Sequence, residues 1–561
     1  MTSESVVKEP DLSSGPPARF PRILLPLTGV CVFAGLMAAQ FVSELEDRFS
    51  IGLDAIVVAS IVVVAGLILC WAGWFLFLSR WRWSYRILAV LLLLALPPTM
   101  LKLFRPIHGG DANIMGFEPF WNRREEMSPP AATPAPSTVD LLTETPDDFP
   151  QFLGIHHDSA VHTNIRIDSE RFGQTEIVWK QPVGAGWSAF SARNGNAVTM
   201  EQRGDQECVT CYRIDDGTLQ WCYQHAARHQ DAMNLGRVGP RSTPTIHNGN
   251  VYAVGAVGNL VCLNGADGTV RWQADLNSLL GIELETAHDA DGFEVQYEKN
   301  TSLSWGRSGS PLIVDDLVVI PGGGPRGATH TLVAFDSVTG DVRWMGGQFM
   351  IGYGSPVLET VAGVRQILMV TEADVAGFDP ATGDVLWSAS RPGESNGGAN
   401  TSQVNVISAN EILTTKGYPD GGGDRIRLVS ADGHLHAETV WKSDRILKTK
   451  LMSPVIFEGH TYAFSNGFLE CARLDDGERI WKHRGRFGHG QLLRVGEEIL
   501  LHSESGELLL MRASPEEFIE LGRMKTIDGV CWNTLCLAGG FLLVRSEVEA
   551  ACLKLPVREP M

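Results

Sequence analysis

The chain has 561 residues and a formal net charge of −19, and the acidity is concentrated beyond residue 104, where 38 Lys and Arg stand against 58 Asp and Glu. So acidic a region is repelled by nucleic acid and by anionic lipid faces, which argues against either as its ligand. No segment reads as a nucleic-acid-binding module.

In chain order, residues 1–22 read as a tail and residues 23–104 as a membrane region. Three apolar runs, about 23–42, 55–78 and 86–103, approach the roughly 20 residues that cross a hydrocarbon core, although Pro97-Pro98 interrupts the third. The first run is too long for a signal peptide and lacks its small-residue cleavage site. Arg19 and Arg22 precede the first run and Arg80, Arg82 and Arg86 separate the second from the third, while Glu44, Glu46, Asp47 and Asp54 lie between the first two. The positive-inside rule then predicts a multi-pass protein of the cytoplasmic (inner) membrane, held there by its N-terminal helices. The tail would be cytoplasmic and the remainder of the chain periplasmic or on the cell exterior. Residues 105–147, with Pro129-Pro130-Ala131-Ala132-Thr133-Pro134-Ala135-Pro136, read as an extended tether.

From 148 to 561 one phrase recurs. Ile214-Asp215-Asp216-Gly217-Thr218-Leu219-Gln220-Trp221 returns as Asn264-Gly265-Ala266-Asp267-Gly268-Thr269-Val270-Arg271-Trp272. It appears again as Asp336-Ser337-Val338-Thr339-Gly340-Asp341-Val342-Arg343-Trp344 and Asp379-Pro380-Ala381-Thr382-Gly383-Asp384-Val385-Leu386-Trp387, with weaker copies ending at Trp441 and Trp481. The Asp and Gly make a tight turn, Gly supplying positive φ, and the Trp closes a short strand. Four strands with turns need roughly 40–45 residues, which is the order of the Trp spacing. The pattern predicts an all-β propeller of four-stranded antiparallel blades. Counting Trp-type strands at 179, 221, 272, 344, 387, 441, 481 and near 521 gives eight blades; seven is the alternative if the degenerate C-terminal copies form one. Glu176–Lys180 has no blade before it, so it is expected to pair with the last blade, formed by Cys531 to Leu555, and close the ring. Asp275–Leu280 reads as a short helix inserted between repeats.

The D-x-x-T-G-x-x-x-W phrase resembles the pyrroloquinoline-quinone-type (PQQ-like) repeat, over roughly residues 148–556. Quinoprotein alcohol dehydrogenases share it, as does the propeller lipoprotein of the outer-membrane β-barrel assembly machinery. Asp148-Phe149-Pro150-Gln151-Phe152-Leu153-Gly154 is similar to the opening of many bacterial membrane-anchored members of the family. The motif specifies blades and by itself carries no chemistry.

In a propeller the Asp-Gly turns lie on one face, and the blade-to-blade loops lie on the other with the turns joining second to third strands. The loop face, where binding sites on rigid scaffolds gather, should collect Trp187, Glu201, Arg203, Arg241, Arg307, Arg326, His330, Glu372, Lys450, His489 and Trp532. Of these, Trp187, Glu201, Arg203, Arg241, Arg307, Glu372, Lys450 and His489 are the ligand-binding candidates. Arg241 with Arg307 would suit a carboxylate or phosphate, or the same groups would pair along the channel rim. Ser242-Thr243-Pro244, Ser310-Pro311, Ser355-Pro356 and Ser453-Pro454 open strands at a crowded axis and read as structural.

No catalytic residue and no metal site is identified. Cys208-x-x-Cys211 lacks the following His of a haem attachment site and a second pair for zinc, and Asp289–Glu294 misses calcium-ligand spacing. Among ten cysteines, Cys211 with Cys222 and Cys531 with Cys536 are disulfide candidates, with buried free thiols the alternative. The resemblance implies two functions: a non-catalytic binding or scaffolding propeller with a protein partner in the cell envelope, or a PQQ-dependent oxidoreductase holding the quinone with calcium. Those enzymes carry adjacent cysteines and a calcium-binding acid set. This sequence has no Cys-Cys, which favours the scaffold.

Overall fold

The computed structural model describes residues 53–558 apart from 79–80, 111–113, 120, 122–126, 131–138, 163–164, 232–234, 290 and 396. The expected tail, the first apolar run and the Pro-rich centre of the tether lie outside the described residues. The described residues fall into two compact units, one within 53–106 and 117–121, the other within 107–116 and 122–558.

In the first unit, α1 (Leu53–Leu78) and α2 (Trp83–Leu103) contact one another. Arg86 of α2 donates from Nε to the Trp81 carbonyl at 2.7 Å and from Nη1 to the Leu76 carbonyl at 2.8 Å. Among the described residues no helix is long and apolar enough to cross a membrane. This overturns the expected multi-pass inner-membrane placement and the helical anchor.

The second unit is an eight-bladed propeller of four-stranded antiparallel sheets. Blades 1 to 4 span 191–226, 245–275, 312–346 and 357–390, and blades 5 to 7 span 405–443, 455–486 and 491–525. Blade 8 takes three strands from 536–554 and its outer strand from Glu176–Pro182, where Cys552 pairs with Trp179 and Glu549 with Pro182. The ring therefore closes as expected from sequence, and the degenerate copy near 521 belongs to a complete blade, which settles eight over seven. First strands of successive blades neighbour one another and line the axis. The apolar core is a series of clusters between blades, such as that of Val198, Val209, Trp221, Ile246, Val251 and Val261 between blades 1 and 2.

Two belts bind blade to blade. On the outside, the Trp of one blade lies on the turn of the next. For five of them the indole N–H donates to that turn's backbone: Trp179 to Ile214 at 2.7 Å, Trp221 to Gly265 at 2.9 Å, Trp272 to Ser337 at 3.0 Å, Trp441 to Leu474 at 2.7 Å and Trp481 to Ser514 at 3.1 Å, whereas Trp387 donates to Gln366 of its own blade. The turn glycine has positive φ and a bare Cα, and the ring fills the space its Cβ would take. Near the axis, the small hydroxyl residues that open the first strands reach backward around the ring. Ser310 Oγ accepts from the Thr243 amide at 2.9 Å, Ser355 Oγ from the Ser310 amide at 2.9 Å and Ser453 Oγ from the Gln403 amide at 3.0 Å. These side chains are thus small for the axis and polar for the neighbour's backbone, which no ladder bond satisfies.

The segment after 148 crosses the turn-bearing face. Phe149 exchanges backbone bonds with Ala192 of blade 1, Pro150 accepts from Ile246 of blade 2, and Ala160–Val161 adds a short parallel strand to blade 7. Between blades 2 and 3 stand the expected short helix, α3 (Leu276–Leu280), capped by Asp275, and a hairpin of Leu284–His288 with Glu294–Glu298.

Candidate functional site

The loop face is assembled from blade-to-blade loops and from turns between second and third strands. Glu201 ends up fully buried. Its Oε2 accepts from the Gly184 amide at 2.7 Å and Arg203 Nε at 3.0 Å, and its Oε1 from Thr210 Oγ1 at 2.8 Å and the Tyr212 hydroxyl at 2.6 Å. Burial alone would raise its pKa, but Arg203, Arg545 and these donors bring it below the ordinary value. Arg203 also donates to the Tyr212 hydroxyl at 2.8 Å. The pair lies in the seam where blade 8 meets blade 1.

Arg241 and Arg307 are each engaged separately. Arg241 Nη1 donates to the Gly239 carbonyl at 2.7 Å and Nη2 to that of Gly236 at 2.9 Å, fastening its own loop. Arg307 pairs through Nε with Glu298 at 2.6 Å and through Nη1 with the Gly322 carbonyl at 2.6 Å, joining the inserted hairpin to blade 3. Glu372 receives Arg326 bidentately at 3.1 and 2.8 Å and the Ser395 hydroxyl at 2.9 Å. Lys450 lies buried with its ammonium 5.1 Å from the Tyr418 ring centre. Asp289, in the loop set aside as a calcium site, accepts Arg228 Nε at 2.9 Å and the amides of Asp291 and Phe293. Among the described residues no group of three His, Cys, Asp or Glu is arranged to hold a metal.

Cys211, Cys222, Cys531 and Cys536 are free buried thiols. Register sets Cys211 opposite Trp221 and Cys222 opposite Thr210, so the first two leave opposite faces of the blade. The cysteine that shares a face with Cys222 is Cys208.

What the structure does bring together is an aromatic bridge. Trp187 donates to the Gly236 carbonyl at 2.6 Å and lies against Trp532, ring centres 4.4 Å apart at 31°. Trp532 in turn donates to Glu504 Oε1 at 2.6 Å. The same oxygen accepts the Gly110 amide, also at 2.6 Å, and the Gly110 Cα faces His489. Sequence reasoning named Trp187, His489 and Trp532 but missed Glu504. The signal was available: Ser503-Glu504-Ser505-Gly506 is the turn between second and third strands of blade 7. Without a terminal Trp, that blade's turns were not placed on the face. Glu207 was missed too. It is buried between blades 1 and 2, accepts the Ala256 amide at 3.0 Å, and burial raises its pKa to about 7 against that bond and Arg241.

A family profile described as Outer membrane protein assembly factor BamB matches residues 174–291 and 205–483, together more than half of the chain. Outer membrane protein assembly factor BamB of Alkalilimnicola ehrlichii is 26% identical over 219 residues, 36% of this chain and 51% of the relative. The chain thus spans about half the length of that curated relative. Among solved structures, quinohemoprotein alcohol dehydrogenase ADHIIG from Pseudomonas putida HK5 superposes with a TM-score of 0.51 at 12% identity, covering 74% of this chain and 81% of that one. BamB from Moraxella catarrhalis gives 0.45 at 13%, covering 69% and 99%. At 12% identity the first of these speaks for the fold alone. The repeat phrase, the eight closed blades and the profile match agree: the chain belongs to the PQQ-like propeller family described as outer membrane protein assembly factor BamB.

Proposed function

We propose that the protein is a non-catalytic, protein-binding scaffold that serves assembly in the cell envelope. Its relatives carry the name of an assembly factor. The observation that carries the reading is the state of the loop-face charges. Glu201, Arg241, Arg307 and Glu372 each hold a strand, loop or neighbouring blade through bonds of 3.1 Å or less, so they act to stiffen a broad surface. A rigid disc with prepaired charges suits protein contact, where rigidity limits the ordering cost of association.

The residues do not fit a pyrroloquinoline quinone site. The loop-face carboxylates Glu201, Glu207 and Glu372 are engaged by arginines or backbone amides, and no two cysteines are adjacent in the chain.

The test is photo-crosslinking from two exposed positions on opposite faces, Arg326 on the loop face (53% exposed side chain) and Val338 in an Asp-Gly turn (76%). A discrete protein adduct from Arg326 and none from Val338 is expected. Saturable binding of pyrroloquinoline quinone with calcium, accompanied by a cofactor absorbance band, would sink the scaffold reading.

A further inference from the structure

We infer that the notch formed by His489, Glu504 and Trp532 on the loop face is a recognition site for an extended, glycine-bearing peptide, filled in cis by Ile107–Gly110. The proposal deepens the scaffold reading by naming the chemistry of the partner segment, and rests on that reading only for the partner's being a protein.

Three observations converge. First, Glu504 is a buried carboxylate, and one of its oxygens is shared by two donors at 2.6 Å, the Trp532 indole and the Gly110 amide. A carboxylate that takes a main-chain amide from a segment 394 positions earlier recognises backbone, and bonds to a charged acceptor are among the stronger ones. Second, the fit requires glycine. A Cβ at Gly110 would lie 2.5 Å from His489 Cδ2 and 3.0 Å from His489 Cγ, and His489 is itself buried. Third, the notch is preorganised from within the propeller. Trp187 backs Trp532, Gln491 Nε2 donates to the Trp532 carbonyl at 2.7 Å, and Glu504 is fixed through its own amide to Phe487 at 3.0 Å. A Cβ on Gly488 would meet Glu504 Oε2 at 2.2 Å, so this glycine leaves room for the carboxylate.

A tethered segment has a high effective concentration, on the order of millimolar for short linkers, and it competes with any partner segment of the same chemistry. The cis segment therefore sets a threshold: a partner binds only by displacing Ile107–Gly110, and its apparent affinity is reduced by the fraction of notches already filled.

The experiment uses the full chain and the capped synthetic peptide of residues 104–110. Gly110→Val removes the cis occupant by steric conflict with His489. The peptide is expected to bind this variant at least about tenfold tighter than the wild type, read by quenching of tryptophan fluorescence, and to lose that binding when Glu504→Ala is added. Equal binding to wild type and Gly110→Val, or none to either, overturns the proposal. Should Gly110→Val not fold, hydrogen exchange decides on the wild type and on Glu504→Gln. The Gly110 amide is expected to be protected in the first and to exchange about tenfold faster in the second, and free exchange in the wild type overturns the proposal. Neither readout involves a cofactor, so its failure is distinct from failure of the scaffold reading.

Discussion

Glu201 and Glu207 lie on adjacent strands of blade 1 and both are almost wholly buried, at 0% and 3% exposure, yet they sit in opposite kinds of seam. Glu201 faces the closure seam toward blade 8, where Arg203 and Arg545 surround it and hold its pKa down. Glu207 faces the apolar seam toward blade 2, and there burial dominates and lifts its pKa to about 7. Each seam has its own task. Blades 1 and 2 are consecutive in the chain and meet over a mainly apolar contact, fastened by single bonds such as that of Trp221 to Gly265. Blades 8 and 1 are joined by a strand paired across more than 350 residues, and a directional polar network specifies that register where apolar packing alone would tolerate a slip.

The largest effect is expected from breaking the closure seam. Arg545 donates to the carbonyls of Gly184, Ser188 and Met200 at 2.9 to 3.1 Å and to Thr199 Oγ1 at 2.6 Å. Arg545→Ala strips those acceptors and leaves Glu201 with one cation fewer, at a cost of about 3–5 kcal/mol by denaturant midpoint. A loss below about 1 kcal/mol would show that the polar seam is dispensable.

The second prediction sets the two carboxylates against each other in pH. Glu207 binds its proton more tightly folded than unfolded, so between about pH 4.5 and 7 stability falls as pH rises. The loss is roughly 3 kcal/mol at about 1.4 kcal/mol per pH unit. Glu207→Gln keeps an acceptor for the Ala256 amide and should flatten that limb, so that it is the more stable protein at pH 8. Glu201 has the opposite sign: its contribution is present above the unfolded pKa and is lost as pH falls through the lowered folded one. Glu201→Gln should therefore flatten only the acid limb. Parallel stability–pH curves for wild type and Glu207→Gln would refute the contrast.

How much of this was legible follows from range. The Asp-Gly turn and the Trp that follows it within five residues are local, so eight blades and the strand from 176 could be read from spacing. The seams are not local. That Glu201 would find Arg203 is an i,i+2 relation visible on a strand, but Gly184 and Arg545 come from other blades, and nothing in the sequence aims them. The Cys211–Cys222 pairing failed on one residue of register, set by the bulge between Cys211 and Tyr212. The membrane placement failed on length and apolarity together, which no described helix combines to the degree a span needs. Glu504 escaped because blade 7 lacks the Trp by which the other blades were indexed.

The outer Trp belt of the apolar seams yields to a pair of glycine substitutions. Gly340 and Gly363 both have φ near +76°, so alanine at either meets the same backbone strain of roughly 1–2 kcal/mol. Only at Gly340 would the new Cβ strike a neighbour, 2.6 Å from Cδ2 of Trp272, while Gly363 has open space. Gly340→Ala should lose about 1–3 kcal/mol more than Gly363→Ala, the cost of overpacking the Trp belt. Equal losses would mean the indole is free to shift and the outer belt is soft.

The smallest effect concerns the axial belt, which adds directional bonds to the apolar seams near the axis. Ser310→Ala deletes the acceptor 2.9 Å from the buried Thr243 amide while leaving the donation of its own amide to Ser355 Oγ intact. The expected cost is about 1–2 kcal/mol, that of a buried donor left without a partner. Ser355→Ala removes the next link of the belt. If each link acts only on its own pair of blades, the double variant loses the sum of the singles. If the belt tightens the ring as a unit, the second deletion costs less than the first, because the continuity it would have broken is already gone. The repeated placement of a hydroxyl at the same point in blades 3, 4 and 6 favours separate links, because each closes a gap that recurs wherever one first strand passes its neighbour. Additive losses are therefore the expected result. They would make the axial belt a set of independent clips, each acting on its own pair of blades.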